Sequence, residues 1–260
     1  MFSKRYFYLI EIQYLGFRYH GWQKQPDLLT VEHMMSRTLA YVLGHKHFKL
    51  LASGRTDAKV SVNQGFVELF LDDEPLNLET FFPEFNANLP QDIRALRMKE
   101  VDKSFNIIEA PSEKEYLYLF SFGTKNHPFT APFMTGIIAE LDIAVMQQAA
   151  KLFEGTHDFI NYTYKPNPET KTIATISKAE IAINDVYEAN FFPEKSFVFR
   201  VCGKGFKRHQ VRLMMGALFD LGEGKVDLNF IEDTLKPGHL VKLERIAPAS
   251  GLQLNRVDIK

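Results

Sequence analysis

Apolar and polar residues in the first part of the chain follow strand-like and helix-like patterns in turn. Residues 6–14 are rich in aromatic and β-branched side chains, which predicts a buried strand. Between Thr30 and Gly44, apolar side chains recur at helical spacing, and these two residues suit the N-cap and the C′ position of a helix. Short apolar runs at 48–52 and 65–71 predict two more strands with a polar loop between them. The predicted order is therefore strand, helix, strands.

The second part of the chain follows the same order. Strands are predicted at 116–122, 177–183 and 196–202, and helices at 142–155, 209–221 and from 228 to the residue before Pro237. We therefore expect an α+β fold with two similar halves of mainly antiparallel sheet and helices packed on them. No residue-level repeat relates the halves. The predicted boundary gives an N-terminal α+β domain at 1–104 and a C-terminal α+β domain at 105–260.

The composition is that of an ordinary globular protein. Of 260 residues, 45% are hydrophobic and 24% are charged, which argues against disorder. The single cysteine, Cys202, cannot form an internal disulfide or supply a cysteine pair for zinc, so we expect a reducing compartment and a cytoplasmic location. Apolar stretches are shorter than the roughly 18 residues of a membrane span, and no membrane association is expected. The N-terminal apolar run ends at Glu11, too soon for a secretory signal.

Charge is balanced overall but unevenly distributed. The chain has 31 Lys and Arg against 32 Asp and Glu, which gives a net charge of −1. Residues 68–84 contain no Lys or Arg, and their acids are Glu68, Asp72, Asp73, Glu74, Glu79 and Glu84. Residues 204–212 contain no acid, and their basic residues are Lys204, Lys207, Arg208, His209 and Arg212. Such a basic run is either a solvated surface or a contact for nucleic acid, and charge alone does not decide between them.

Few residues have the spacing of a known catalytic or metal site. The zinc motif His-Glu-x-x-His, cysteine pairs, the Walker phosphate loop and the Gly-x-Ser-x-Gly elbow are all absent from the sequence, and no metal site is predicted. What remains is the segment Gly54-Arg55-Thr56-Asp57, in a loop between two apolar runs. This segment is either a simple turn or a site where a cation keeps a buried carboxylate ionised, ready to act as a nucleophile or a base.

The segment Gly54-Arg55-Thr56-Asp57-Ala58 resembles the catalytic loop of the tRNA pseudouridine synthase A family. Other motifs of that family have counterparts in the same order along the chain. They are Tyr-x-Gly-x-x-Tyr-x-Gly-Trp-Gln at 14–23, Asn-Ala-Asn-Leu-Pro at 86–90, Tyr-x-Tyr at 116–118, Phe-Glu-Gly-x-His-Asp-Phe at 153–159, Gly-Phe-x-x-His-x-Val-Arg-x-Met-x-Gly at 205–216 and Gly-Leu-x-Leu at 251–254. Each motif alone is weak, but the series covers nearly the whole chain and is specific.

The resemblance implies that the chain isomerises uridine to pseudouridine in the anticodon stem-loop of tRNA. The bond from ribose C1′ to N1 breaks, the uracil turns while bound, and C1′ is joined to C5, so no cofactor is required. By the same resemblance, Asp57 is the nucleophile, Arg212 pairs with it and keeps it charged, and Tyr116 stacks on the base and helps to remove the C5 proton. The active cleft is expected between the two halves. The family also implies a homodimer whose subunits jointly grip tRNA.

Substrate-binding residues are expected from the resemblance and from the basic run. Arg55 would help to hold the target nucleotide out of the base stack, which chemistry on a base requires. Leu252 either packs under the uracil or fills the core. Because positive charge just before Arg212 suits phosphate contacts, RNA is expected to contact Lys204, Lys207, Arg208 and His209. The acidic residues at 68–84 would then face away from RNA.

Five positions depart from the family pattern, and one of them is Arg208, which stands where the family often has histidine. Lys59 stands where the family has glycine, and we expect it to exclude a left-handed backbone there. Ser61 replaces a histidine, while Glu115 and Leu117 replace two arginines, which should remove positive charge near the cleft. Two alternatives therefore stay open. One is a tRNA-binding protein of the same fold with weakened catalysis, and the other is a different enzyme that uses an Asp–Arg pocket on a small molecule.

Overall fold

The computed structural model describes residues 4–72 and 74–260. The chain forms two compact units, the first made of Met1–Ser112 and Leu254–Lys260 and the second of Glu113–Gln253. The C-terminal segment therefore belongs with the N-terminal part of the chain. As separate folding domains, 1–104 and 105–260 stay a prediction.

Strands and helices are interleaved along the chain. The strands are β1 (Arg5–Tyr14), β2 (Phe48–Ala52), β3 (Ser61–Asp72), β4 (Ile93–Glu100), β5 (Pro111–Phe122), β6 (Thr135–Ile137), β7 (Gly155–Asp158), β8 (Ile173–Ile183), β9 (Phe197–Gly203) and β10 (Leu252–Ile259). The helices are α1 (Val31–Leu43), α2 (Leu78–Asn88), α3 (Ile143–Leu152), α4 (Gln210–Gly222) and α5 (Leu228–Thr234). Within the described residues, none of these helices is long and apolar enough to cross a membrane. Helices and mostly antiparallel strands together confirm the predicted α+β class.

The sheet of the first unit is built around β1 and β3. β1 pairs antiparallel with β3 and with β4. β2 also pairs antiparallel with β3, and β10 follows β3 in the strand order. The register places Ile10 opposite Val67 and Leu50 opposite Leu69, and these four side chains are buried. Helix α1 packs on α2, which also contacts β4. Apolar side chains of β1, β2 and β3 thus contribute to the buried core of this unit.

Local sequence explains where α1 begins and ends. The Thr30 side chain accepts a hydrogen bond from the His33 N–H, and Gly44 follows the helix with a φ of 74°. Both residues are the caps predicted from sequence, since a hydroxyl satisfies an unpaired N–H and glycine tolerates the left-handed region. The predicted strands at 6–14 and 48–52 are confirmed as β1 and β2.

Helix α2 and strand β4 are missing from the sequence-based prediction. Pro83 lies inside α2, and proline normally interrupts a helix because it has no N–H to donate. The acidic segment 68–84 runs from β3 into α2, so it is not a single exposed surface. Glu68 in particular is buried. Asp73, another acid of this segment, lies outside the described residues.

The sheet of the second unit is centred on β9. β9 pairs antiparallel with β5 and β8, and β8 pairs antiparallel with β7. The short β6 pairs with β5 in parallel. Helix α3 packs against α4, α5 and β8. Phe219 of α4 meets the rings of Tyr118 and Phe120 edge-on, and all three are buried. Helix α4 is therefore anchored in the core of this unit.

Candidate active site

The loop that carries Asp57 lies between β2 and β3 and is held by the segment that follows β1. The Trp22 N–H donates a hydrogen bond to the Thr56 carbonyl at 3.2 Å. The hydroxyls of Tyr14 and Thr56 are 2.7 Å apart and share a hydrogen bond. The Val60 N–H donates to the Asp57 carbonyl at 3.2 Å. The backbone is therefore fixed on both sides of the half-buried Asp57.

Two glycines allow this close approach. Gly21 has a φ of 90°, and a Cβ there would lie 2.6 Å from the Thr56 carbonyl oxygen and 3.1 Å from the carbonyl carbon of Asp57. A Cβ on Gly16 would lie 2.0 Å from the Val60 carbonyl oxygen. Real Cβ atoms do not come this close to backbone, so both positions need glycine. The motif at 14–23 thus has a structural role in shaping the Asp57 loop.

The family departures at Lys59 and Ser61 are accommodated in the same loop. Lys59 has a φ of 68°, so the expectation that it excludes a left-handed backbone is wrong. Its N–H donates to the Tyr19 carbonyl at 3.0 Å, and its ammonium lies 5.7 Å from the centre of the Phe17 ring. These contacts offset the strain of a left-handed lysine. Ser61 is buried, and its Oγ accepts a hydrogen bond from the Gly16 N–H at 2.9 Å.

The same segment is tied to the start of β4 by an acid. Asp92 accepts hydrogen bonds from the Arg18 guanidinium and, at 2.7 Å, from the Tyr19 hydroxyl. Burial alone would raise the pKa of Asp92, but these two donors outweigh burial and hold the pKa below its usual range. The ionised carboxylate therefore stabilises the turn that supports Lys59.

Arg55 differs from its neighbours in the loop because its side chain is exposed. Within residues 4–72 and 74–260, its guanidinium makes no hydrogen bond or ion pair. An exposed arginine of this kind is available to a ligand.

In the second unit, Arg212 is held by the segment before β10. Its Nε donates to the Ala247 carbonyl at 2.8 Å, and the Ala247 N–H donates to the Arg212 carbonyl at 3.0 Å. One helical turn later, Gly216 packs against the same segment, since a Cβ there would lie 2.1 Å from the Arg245 carbonyl oxygen. One edge of the half-buried Arg212 guanidinium is thereby fixed.

Tyr116 lies on β5 and is also half-buried. Its ring meets the Phe206 ring nearly edge-on, with the centroids 5.1 Å apart and the planes at 78°. Because alternate residues of a strand share a face, Lys114 lies on the same side of β5 as Tyr116. Burial lowers the pKa of the Lys114 ammonium. Phe206 and Lys114 are thus neighbours of the candidate site that sequence reasoning gave no role.

Glu115 and Leu117 occupy the opposite face of β5. Leu117 is fully buried in an apolar cluster. Glu115 is buried beside the Arg200 guanidinium at 3.6 Å, and it accepts a weak hydrogen bond from the Cys202 thiol. The expected loss of positive charge beside the cleft is therefore the wrong description, since both side chains belong to the interior of this unit.

The basic run precedes α4 and gathers around an aromatic ring that the sequence did not single out. The Arg208 guanidinium lies 5.1 Å from the centre of the Tyr164 ring. The His209 imidazole packs on the same ring, with the ring centroids 4.5 Å apart and the ring planes at 32°. His209 has a φ of 59° where α4 begins. Lys204 is exposed and Lys207 is half-buried. The two side chains of the run nearest α4, Arg208 and His209, are therefore both packed on Tyr164.

The remaining predicted contact, Leu252, is the first residue of β10 and is buried. A core position and a position under a bound base both need such an apolar side chain. Among residues 4–72 and 74–260, no three His, Cys, Asp or Glu side chains are grouped in a way that could hold a metal ion.

Comparison with known proteins identifies the family. Residues 149–258 match the sequence model of the tRNA pseudouridine synthase family. The tRNA pseudouridine synthase A of Mycoplasmoides gallisepticum is 31% identical over 252 residues, which are 96% of this chain and 89% of that protein. The chain belongs to the tRNA pseudouridine synthase A family.

Two more relatives match over similar lengths. tRNA pseudouridine synthase A 2 of Bacillus cereus is 30% identical over 96% of this chain and 98% of its own length. tRNA pseudouridine synthase A of Clostridium kluyveri is 29% identical over 95% and 96%.

The residues predicted for the site are divided between the two units. Arg55 and Asp57 share one loop of the first unit. The second unit contributes the other predicted residues, which are Tyr116, Lys204, Lys207, Arg208, His209, Arg212 and Leu252. The supporting residues Tyr164 and Asp92 were beyond sequence reasoning, because neither has a neighbour in sequence that suggests its partner. The only sequence signal for Tyr164 was that it is an aromatic residue next to Lys165 in an otherwise polar stretch.

Proposed function

We propose that this member of the tRNA pseudouridine synthase A family converts uridine to pseudouridine in the anticodon stem-loop of tRNA, with Asp57 as the nucleophile. The observation that supports this most is the fixed backbone around Asp57, held through Thr56 by Trp22 and Tyr14. A nucleophile must be positioned closely against its target atom, and a loop anchored at this density supplies that positioning. The full-length match to relatives of that name supports the same reaction.

The proposed reaction is an isomerisation in which every atom is retained. The Asp57 carboxylate forms a bond to the substrate, the bond between C1′ and N1 breaks, and the uracil turns in place. A bond then forms between C1′ and C5, the proton leaves C5, N1 takes up a proton, and the carboxylate is released. The product has the same formula as the substrate, so the step needs no oxidant, reductant or group donor.

Other residues have positioning roles in this proposal. Arg212 pairs with Asp57 and keeps the carboxylate charged, and its Nε contact with the Ala247 carbonyl favours a single orientation of the guanidinium. Tyr116 stacks on the uracil and assists proton removal from C5, with its ring packed against Phe206. The exposed Arg55 holds the target nucleotide out of its base stack. Leu252 packs under the uracil.

RNA binding is assigned to the basic run before α4. Lys204 and Arg208 are exposed, and cations in such a run neutralise phosphates and release counterions. Lys207 and His209 complete this surface. We further propose that the protein acts in the cytoplasm as a homodimer whose subunits jointly grip one tRNA.

The proposal is tested by incubating the protein with unmodified tRNA and mapping pseudouridine by carbodiimide treatment and primer extension. Asp57→Asn should lower the rate at least about 10³-fold, because the nucleophile is lost, while tRNA affinity changes little. Asp27→Asn is the matched control. Asp27 is exposed with a φ of 57°, a conformation that asparagine also tolerates.

Each outcome decides between the hypotheses. Pseudouridine at an anticodon stem-loop position, lost in Asp57→Asn and kept in Asp27→Asn, supports the full proposal. tRNA binding by the wild-type protein without new pseudouridine favours the tRNA-binding alternative. Near-normal activity of Asp57→Asn would overturn the role of Asp57.

A further inference from the structure

An open pocket of about 580 Å³ lies in the first unit, among residues to which the proposed reaction gives no role. Its walls come from the loop before α1, from one face of α1 and from the segment that leads into β2. The lining residues are Lys24, His33, Ser36, Arg37, Ala40, Tyr41, Lys46 and Phe48. Spacings of three and four residues along α1 place its contributions on one face. The volume suits a ligand of about nucleotide size.

The charge of this pocket is of one sign. Lys24, Arg37 and Lys46 supply positive charge, and no carboxylate lines the pocket. Within the described residues, the side chains of Lys24, Arg37 and Lys46 make no hydrogen bond or ion pair. Because positive side chains surround one concave space, their attractions for an anion that enters the space add together.

Some other arginines of the first unit pair with carboxylates. Arg5 pairs with Asp72 at 2.7 Å, and Arg97 pairs with Glu11 at 3.1 Å. The acid nearest in sequence to the pocket residues of α1 is already engaged, because Glu32 accepts a hydrogen bond from the backbone N–H of Lys24 at 2.7 Å. Lys24, Arg37 and Lys46 are therefore three positive side chains that line one pocket without a carboxylate partner among the described residues.

The other lining residues suit a nucleic acid. Tyr41 is 73% exposed, so its ring is open to a ligand in the pocket. Aromatic rings beside cations stack on bases or riboses while the cations bind phosphates. The Ser36 hydroxyl adds a neutral donor for a phosphate oxygen.

We propose that this pocket binds the phosphate backbone of the tRNA substrate, with Tyr41 against an adjoining base or ribose. The proposal rests on the proposed function for its choice of RNA. It adds to the basic run before α4 a second RNA-contacting site, carried by α1 and the start of β2.

The test compares two double charge reversals. Arg37→Glu with Lys46→Glu should weaken binding of a full-length unmodified tRNA transcript about 10-fold near 0.1 M salt, because two phosphate contacts are lost. The slope of log Kd against log salt should fall by about two. The single-turnover rate at saturating tRNA should not change. Arg94→Glu with Lys99→Glu makes the same charge change on exposed residues of β4 and is the matched control.

The outcomes separate this site from the proposed function. Wild-type affinity and salt slope in the pocket variant would overturn the site, as would equal weakening by the β4 control. Should the reversal variant fold poorly, Arg37→Gln with Lys46→Gln gives the same reading with a smaller change. Absence of pseudouridine in the wild-type reaction would count against the proposed function alone, since the pocket is judged from binding. Absence of tRNA binding by the wild-type protein would overturn both.

Discussion

The two units fix their charged groups by different means. In the first, Asp57 lies on a loop that is held by hydrogen bonds from a distant segment, chiefly Trp22 and Tyr14 to Thr56. In the second, Arg212 lies on α4, a helix whose residues are almost all buried. A hydrogen-bonded loop can open locally, whereas a core helix moves only when its unit unfolds. We therefore expect that a mutation can displace Asp57 without unfolding the first unit. Displacing Arg212 should require the second unit to lose stability.

The largest effect is expected from Gly216→Ala in α4. The new methyl group would lie 2.1 Å from the Arg245 carbonyl oxygen, in a buried contact with no room to relax. Overpacking of this kind should lower the free energy of unfolding by about 3 kcal/mol. Urea denaturation measures it. Gly205→Ala is the control, because nothing lies within 4 Å of a Cβ at that position. Equal stability of the two variants would contradict the buried-helix account.

Gly21→Ala should have the next largest effect, and a different character. It combines a φ of 90° with a contact of 2.6 Å to the Thr56 carbonyl oxygen. We expect about 2 kcal/mol of destabilisation, together with a loss of activity larger than the unfolded fraction explains, because the Asp57 loop is displaced. Gly44→Ala is the control, with a φ of 74° and open space around it. If Gly21→Ala lost stability but kept full activity per folded molecule, the loop would not depend on this contact.

The contrast between the units also explains how far the sequence could predict the structure. The caps Thr30 and Gly44 were predictable because they act on adjacent residues. The Asp57 loop was found through a motif, but its support by Asp92 joins residues far apart in sequence. Tyr164 beside Arg208 is a contact of the same kind. Local patterns therefore predict elements and candidate residues, while long-range packing decides what holds them.

Asp92→Asn should have a moderate and pH-dependent effect. The folded-state pKa of Asp92 is lowered, so its stabilisation is present above the unfolded-state pKa and is lost as pH falls through the folded-state pKa. We expect a loss of about 1–2 kcal/mol at pH 7, since Tyr19 donates from a buried position while Arg18 is half-exposed. The difference from wild type should vanish in acid. Asp72→Asn, which removes an exposed pair with Arg5, should change stability less. A difference that did not depend on pH would contradict the ionised state of Asp92.

Glu68→Gln should have the smallest effect, with the opposite sign. Glu68 is 1% exposed, and burial raises its pKa although the Ile107 N–H donates to it. Within the described residues, its Oε1 has no hydrogen-bond partner. A raised folded-state pKa gives stability that is present in acid and is lost as pH rises through that pKa. Relative to wild type, Glu68→Gln should therefore gain about 1 kcal/mol between pH 4 and pH 8, measured by urea denaturation. Glu84→Gln, on the exposed side of α2, should show no such trend. A parallel pH dependence in Glu68→Gln and wild type would mean that the first unit carries this carboxylate without penalty.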